Sequence, residues 1–178
     1  MIKIKRLSRI LTVLSFMLGA VLVFLGLYIK SVNSLTAPIN FNASSEQGIA
    51  LKSIKIENAM VETSVVKAEI TDGNWQISES SANHLSSSSL PKRGGNIVIY
   101  GHNTDNIFDN LDTADIGDTI ILTDVLGYQY AYRVDSISVV SSKNIEIISP
   151  TYYEVLTIYT CTGFLDSKRL VLRASPVS

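Results

Sequence analysis

Residues 155–174 read VLTIYTCTGFLDSKRLVLRA, which is two β-like runs separated by a short loop. Alternation of apolar and polar residues in the second run places Arg169 and Arg173 on one face of a strand. If the two runs pair as a hairpin, Cys161 lies close to Arg169, whereas Arg173 lies roughly 13 Å further along at about 3.3 Å per residue. The pattern therefore predicts a thiol and a guanidinium side by side at the loop end of the hairpin.

The rest of the chain after residue 50 likewise consists of short β-like runs separated by turn residues. Turn signals such as Asp72-Gly73-Asn74 and Gly94-Gly95 separate the runs. The candidate strands are Leu51–Ile56, Val61–Ile70, Asn74–Ile77, Asn96–Tyr100, Thr119–Thr123, Tyr128–Val140, Val155–Thr160 and Arg169–Ala174. So many short strands predict an all-β domain, either a closed barrel or a sandwich. One short helix is predicted over Ile107–Asp115, and the serine-rich segment Ser78–Ser89 is predicted to be a loop.

The N-terminus carries a hydrophobic run, ILTVLSFMLGAVLVFLGLYI at residues 10–29, without a charge. About 20 apolar residues suffice to cross a bilayer core of about 30 Å as a helix. Four basic residues precede the run and only Lys30 follows it, so the positive-inside rule predicts that residues 1–9 are cytoplasmic. A cleaved signal peptide is the alternative, but the run is longer than the usual signal and ends without small residues. We expect a cell-membrane protein with an anchor, an extracellular linker over residues 30–50 and an extracellular domain over residues 51–178.

The distribution of charge excludes a nucleic-acid partner. Of the 15 basic residues, five lie in the first 30 positions, which leaves ten against all 16 acidic residues in the remainder. A nucleic-acid-binding domain needs a basic face on its folded part. The expected non-protein partner is therefore the membrane, through residues 10–29.

Metal binding is not expected from the cysteines and histidines, because the chain has one cysteine and two histidines. Calcium remains an open alternative. Its candidate oxygen ligands are six closely spaced aspartates, Asp105, Asp109, Asp112, Asp115, Asp118 and Asp124. Their spacing is not that of a known calcium loop, and solvated turns also account for them. No metal site and no cofactor are predicted.

Three side chains at predicted strand ends could together perform acyl transfer. Cys161 follows an apolar strand, His102 follows another after Gly101, and Arg169 begins the last strand. Each alone is more simply a buried thiol, a loop histidine or a solvated arginine. Together, a thiolate can attack a carbonyl, an imidazole can move the proton of an amine, and a guanidinium can stabilise the oxyanion. They describe transfer through a thioester.

The segments Gly94-Gly95-Asn96-Ile-Val-Ile-Tyr-Gly101-His102-Asn103 and Thr157-Ile-Tyr-Thr160-Cys161, with Arg169 heading a terminal strand, resemble the signature regions of sortases, the cysteine transpeptidases of bacterial cell surfaces. The resemblance spans roughly residues 51–175. It implies a closed eight-stranded β-barrel, the catalytic residues His102, Cys161 and Arg169, and a contribution of Thr160 to the substrate groove. It also implies surface proteins with a C-terminal sorting motif of the LPXTG type as substrates, and an amino group of a peptidoglycan precursor or another protein as acceptor. His84 has no catalytic counterpart and is expected to be structural or exposed.

Two other classes of protein remain as alternatives. Papain-like and cell-wall cysteine peptidases normally place the cysteine before the histidine, whereas here His102 comes first. The order disfavours them. A non-catalytic, membrane-tethered β-domain that binds surface polymers or proteins would carry an unreactive thiol at position 161.

Overall fold

The computed structural model describes residues 50–177 and, before them, Met17 alone. The predicted N-terminal tail, the anchor over residues 10–29 and residues 30–49 of the linker lie outside the described range, apart from Met17. Among the residues described, no helix is long and apolar enough to cross a membrane.

Residues 50–177 form a closed β-barrel of eight strands, so the predicted all-β fold and the barrel implied by the resemblance are confirmed. Around the barrel the order is β1-β2-β5-β6-β9-β10-β8-β7, and β3 and β4 form a separate hairpin. The strands are β1 Leu51–Ile56, β2 Val61–Ala68, β3 Ile70–Thr71, β4 Asn74–Trp75, β5 Ala82–Leu85, β6 Asn96–Gly101, β7 Thr119–Asp124, β8 Gln129–Ser141, β9 Val155–Thr162 and β10 Lys168–Pro176; short 3-10 helices cover Leu111–Thr113, Ile145–Ile148 and Phe164–Asp166. Because β1 pairs with both β2 and β7, this sheet has no open edge.

Both faces of the sheet formed by β6, β9 and β10 pack into hydrophobic clusters, one inside the barrel and one outside it. One set of alternate residues, including Ile99, Ile158 and Leu172, fills the barrel interior. The other set, Val98, Tyr100, Tyr159 and Val171, lies outside the barrel in a second cluster. Trp75 of the β3–β4 hairpin and residues Ile147 and Ile148 of a 3-10 helix pack on this outer cluster. The outer cluster buries the sheet face that leads to the three predicted site residues.

The serine-rich segment is not the loop that the sequence predicts, because it contains β5. This strand runs parallel to β2 and antiparallel to β6, and all four of its residues are buried. Its polar side chains are satisfied internally: the Asn83 amide donates to the Tyr100 carbonyl at 3.2 Å, and His84 Nε2 lies 2.9 Å from the Ser89 carbonyl oxygen. Burial is also the main reason that the pKa of His84 is lowered. Of the two readings of His84, the structure supports the structural one.

Two further predicted elements differ from the structure. The candidate strand Asn74–Ile77 is confined to β4, which belongs to the small hairpin and not to the barrel. The candidate helix Ile107–Asp115 shrinks to the single 3-10 turn Leu111–Thr113. Ile107 and Phe108, within the predicted helix, are buried in the barrel core as part of the turn that precedes this 3-10 helix.

Candidate active site

Three neighbouring strands bring His102, Cys161 and Arg169 into one row. Cys161 of β9 is paired directly with Arg169 of β10 in antiparallel register. In the parallel pair of β6 and β9, Gly101 lies beside Thr160, so the next positions along the two chains are His102 and Cys161. Neighbouring strands are about 4.8 Å apart, and residues level with one another point to the same side. We call these three residues the site row.

The site row lies on the outer face of the barrel, next to the outer cluster. Tyr100 precedes His102 by two residues and Tyr159 precedes Cys161 by two, and the two tyrosine rings stack at 5.5 Å between centroids. Trp75 packs edge-on against Tyr100 at 5.0 Å. The hydroxyl of Tyr100 donates to the Gln76 carbonyl at 2.7 Å. The surface next to the site row is therefore a packed aromatic cluster.

Thr160 fixes the ends of β6 and β9 relative to each other. Its hydroxyl donates to the Gly101 carbonyl at 2.9 Å, and the residue is only 2% exposed. The side chain thus lies inside the barrel. The groove-shaping role that the resemblance implies for Thr160 would act through the backbone that leads to His102 and Cys161, and not through direct contact with a substrate.

Gly101 is required by close packing inside the barrel and not by its backbone angles. A Cβ atom at this position would lie 2.7 Å from Ile107 Cγ2 and 3.1 Å from Phe108 Cδ2. Both of these side chains are almost completely buried. The glycine lets the chain after His102 fold back and close the end of the barrel.

Substitution Gly101→Ala is therefore expected to destabilise the fold by about 1–3 kcal/mol, the usual cost of overpacking a core. Denaturant unfolding would measure the loss. In an Ile107→Ala background, which removes the nearest clashing atom, the same alanine should cost clearly less. An equal cost in both backgrounds would contradict the packing explanation.

Cys161 is a free, half-buried thiol whose pKa is affected by its burial and by two charged neighbours. Burial is the main cause that raises its pKa, the neighbouring Arg169 acts to lower it, and Asp166 raises it further. Of the three influences on this thiol, only the positive charge of the Arg169 guanidinium favours the thiolate. The thiol is consequently more protonated at neutral pH than an exposed cysteine.

The side chain of Arg169 is held by the turn between β9 and β10. Its Nη1 donates to the carbonyls of Asp166 at 2.8 Å and Lys168 at 2.9 Å. The Asp166 carbonyl points this way because Leu165 and Asp166 adopt left-handed backbone angles, with φ of 50° and 55°. A guanidinium has five N–H donors, so others are left for a substrate oxygen.

His102 directly follows β6 and presents a nitrogen that is buried and unpaired. Although 34% of its side chain is exposed, its Nε2 is shielded from solvent and has no hydrogen-bond partner among the residues described. The carboxylate of Glu79 lies 3.8 Å from this nitrogen, beyond hydrogen-bonding distance. A buried polar atom without a partner is costly, so this nitrogen is suited to receive or give a proton when a substrate is bound.

Sequence reasoning missed Asp166 and Glu79. Asp166 acts on Arg169 through a backbone carbonyl whose direction depends on an unusual φ, for which the side chain gives no signal. Glu79 precedes β5, in the serine-rich segment for which the sequence predicts a surface loop. Its approach to His102 depends on the pairing of β5 with β6.

The aspartates considered for calcium do not gather around one point. Within residues 50–177, no three His, Cys, Asp or Glu side chains lie close enough to hold a metal ion. Asp124 is fully buried and accepts hydrogen bonds from the Leu126 and Tyr128 amides and from the Tyr130 hydroxyl. This carboxylate therefore stabilises the turn between β7 and β8.

Replacing Asp166 with asparagine is expected to lower the pKa of the Cys161 thiol, because a carboxylate that disfavours the thiolate is removed while the backbone carbonyl remains. The rate of alkylation by iodoacetamide, followed against pH, should then rise at lower pH than in the unmodified chain. Asp72→Asn, in the distant β3–β4 turn, is the matched control and should leave the profile unchanged. A shift to higher pH in Asp166→Asn would refute this account of the electrostatics.

The barrel and the site row define a class of enzyme, a cysteine acyl transferase built on a closed β-barrel. The family model described as Sortase domain matches residues 54–177. The chain belongs to the sortase family and is a cysteine transpeptidase, as the sequence predicts. A search of curated proteins gave no significant match.

Solved sortase structures share the fold. A sortase D5 transpeptidase from Clostridium perfringens is 26% identical, with a TM-score of 0.61 over 72% of this chain and 79% of the other. A lid mutant of sortase A from Corynebacterium diphtheriae is 29% identical, with a TM-score of 0.62 over 72% and 70%. Sortase C1 from Streptococcus agalactiae, solved in complex with MTSET, is 23% identical, with a TM-score of 0.60 over 71% and 67%, and supports the fold alone.

Proposed function

We propose that this sortase cleaves a C-terminal sorting motif of the LPXTG type through a thioester on Cys161 and transfers the cleaved protein to an amine. The observation that supports the proposal best is the pairing of Cys161 with Arg169 and the placement of His102 at the neighbouring position. Nucleophile, proton carrier and oxyanion donor are within one row of three strands.

In the first half of the reaction, Cys161 Sγ attacks the scissile carbonyl carbon and its proton passes to His102. A C–S bond forms, and the carbonyl oxygen becomes an oxyanion that accepts hydrogen bonds from Arg169. His102 then gives its proton to the departing amine, the C–N bond breaks, and a thioester remains.

In the second half, an acceptor amine replaces the departed one. His102 takes a proton from the attacking amine, a C–N bond forms, and Arg169 again stabilises the oxyanion. The C–S bond then breaks, and the proton returns to the thiolate. No metal or cofactor is needed for any step.

We place the reaction on the outer side of the cell membrane. The uncharged run at residues 10–29, with its basic N-terminal flank, supports a single anchor with the N-terminus inside. Substrates would then be surface proteins that carry the sorting motif, and acceptors would be amino groups of a peptidoglycan precursor or of another protein.

The test uses the full chain in detergent micelles with an LPXTG-type peptide and an amine such as triglycine. Mass spectrometry should show a covalent enzyme–peptide adduct on residue 161 and a new peptide joined to the amine. A peptide with the scissile bond N-methylated is the matched control and should give neither product. If the adduct formed but no peptide were joined to the amine, the enzyme would be a hydrolase and the proposed transfer would be refuted. If neither the adduct nor the joined peptide formed with any peptide of a motif library, the proposed substrate class would be refuted.

A further inference from the structure

Four segments meet at the end of the barrel that lies opposite the site row. They are residues 50–52, 90–95, 124–129 and 149–154, and we call this surface the basal end. The Val125 amide donates to the Ala50 carbonyl at 3.0 Å, and the Gly94 amide donates to the Glu154 carboxylate at 3.4 Å. Leu51, Leu90, Pro91, Arg93 and Tyr130 line one small cavity here. The four segments therefore form one continuous surface.

The basal end and the site row are separated by the length of β6. Asn96 at the start of β6 lies beside Val155 at the start of β9, and both strands run from the basal end toward the site. Six residues separate Asn96 from His102, which is roughly 20 Å at about 3.3 Å per residue. A partner on the basal end would leave the site row open.

The basal end exposes tyrosines to an unusual degree. Within residues 50–177, three tyrosines are largely exposed, Tyr128, Tyr152 and Tyr153, and all three belong to this surface. Tyr152 is 89% exposed and Tyr153 77%, and their rings pack edge-to-face in solvent. Val125 and Leu126, in the same segment as Tyr128, are also exposed. Tyrosine, with an apolar ring and a polar hydroxyl, is enriched at membrane–water interfaces.

The exposed charge of the basal end is positive, although the extracellular part of the chain is acidic overall. Lys52 and Lys92 are exposed. The two carboxylates of these segments face inward: Asp124 is fully buried, and Glu154 accepts a hydrogen bond of 2.7 Å from Tyr132. Lysines beside tyrosines and aliphatic side chains suit an anionic lipid headgroup layer.

The chain enters the domain at this same end, because β1 begins at Leu51. With residues 10–29 in the bilayer, only the twenty residues 30–49 connect the proposed anchor to the described domain. A tether of that length gives even a weak surface contact a high effective concentration. The short connection to the proposed anchor and the exposed tyrosines therefore both favour the membrane surface as the partner of the basal end.

We propose that the basal end docks on the anionic surface of the membrane that anchors the chain, with Tyr128, Tyr152 and Tyr153 at headgroup depth. The proposal rests on the proposed anchor. Docking would turn the site row away from the bilayer and hold it roughly 20 Å from the docked end, toward incoming acceptor amines.

The test places the chain's one tryptophan at the basal end. The full-length Trp75→Phe/Tyr152→Trp variant is reconstituted in phosphatidylglycerol–phosphatidylcholine vesicles that contain lipids brominated in their acyl chains. Its fluorescence should be strongly quenched, whereas native Trp75, which packs on the outer cluster, should lose little. Equal quenching of both reporters, or none at position 152, would overturn the proposal. If the tryptophan at position 152 were protected from quenching by aqueous iodide but not quenched by the brominated lipids, the basal end would contact another copy of the chain. That result would also overturn the membrane-docking proposal.

Charge reversal tests the electrostatic part of the docking. Each lysine near an anionic surface contributes roughly fivefold to affinity. The double variant Lys52→Glu/Lys92→Glu should therefore lower the docking equilibrium constant, read from the quenching at position 152, by at least about 25-fold. Lys143→Glu, an exposed lysine just after β8 at the site end, is the matched control and should change nothing. An equal effect of the control would overturn the assignment. Carbonate extraction of the same vesicles reports the anchor, and peptide transfer reports the chemistry, so failure of either is distinguishable from failure of docking.

Discussion

Replacing Cys161 with alanine is expected to abolish both the covalent adduct with a sorting-motif peptide and the transfer product. The reaction loses its only nucleophile, and losses on the order of 10⁴–10⁶-fold are typical when one member of such a catalytic unit is removed. The fold should be retained, because residue 161 is half-buried at the end of β9 and its pairing with Arg169 uses the backbone. Mass spectrometry and a fluorogenic peptide assay would measure the two losses.

Thr162→Ala is the matched control for this variant. The residue follows Cys161 on the same strand, so its side chain lies on the opposite face and should leave turnover nearly unchanged. Transfer that persists in Cys161→Ala at the rate of the unmodified chain would eliminate the thioester mechanism. It would also make the half-buried thiol merely structural.

The hairpin of β9 and β10 could be predicted from the sequence because its signal is local. Alternation within β10 and a short loop fix the register, and the structure pairs Arg169 with Cys161 and Arg173 with Thr157 as that register requires. The position of His102 depends on a parallel pair whose strands are far apart in sequence. The resemblance supplied that pairing, and no periodicity could have done so.

The elements that sequence reasoning missed share a physical cause, which is that their stability comes from the tertiary structure. β5 is rich in polar residues and becomes a strand only because buried Asn83 and His84 find partners on neighbouring segments. The outer cluster depends on Trp75, which belongs to a hairpin outside the barrel. These contacts have no period in the sequence, yet they bring the segment with Glu79 up to His102.

Replacing Arg169 with alanine is expected to lower kcat by about 10²–10³-fold, the usual cost of removing an oxyanion donor. It should also raise the pKa of the Cys161 thiol, because the neighbouring positive charge that lowers it is gone. Arg173→Ala is the matched control: it lies on the same face of β10 but opposite Thr157, and should change neither quantity appreciably. An equal loss in both variants would mean that the strand, and not the site row, had been damaged.

Arg169→Lys separates the two roles of this side chain. A lysine keeps the charge beside the sulfur, so alkylation of Cys161 should follow nearly the same pH profile as in the unmodified chain. It lacks the planar guanidinium, in which Nη1 bonds two turn carbonyls and the remaining N–H donors are left for a substrate oxygen. We therefore expect kcat to fall far more than thiol reactivity, which stopped-flow peptide cleavage and alkylation kinetics would compare directly. If lysine restored full turnover, charge alone would account for the arginine, and the turn that orients its guanidinium would have no part in catalysis.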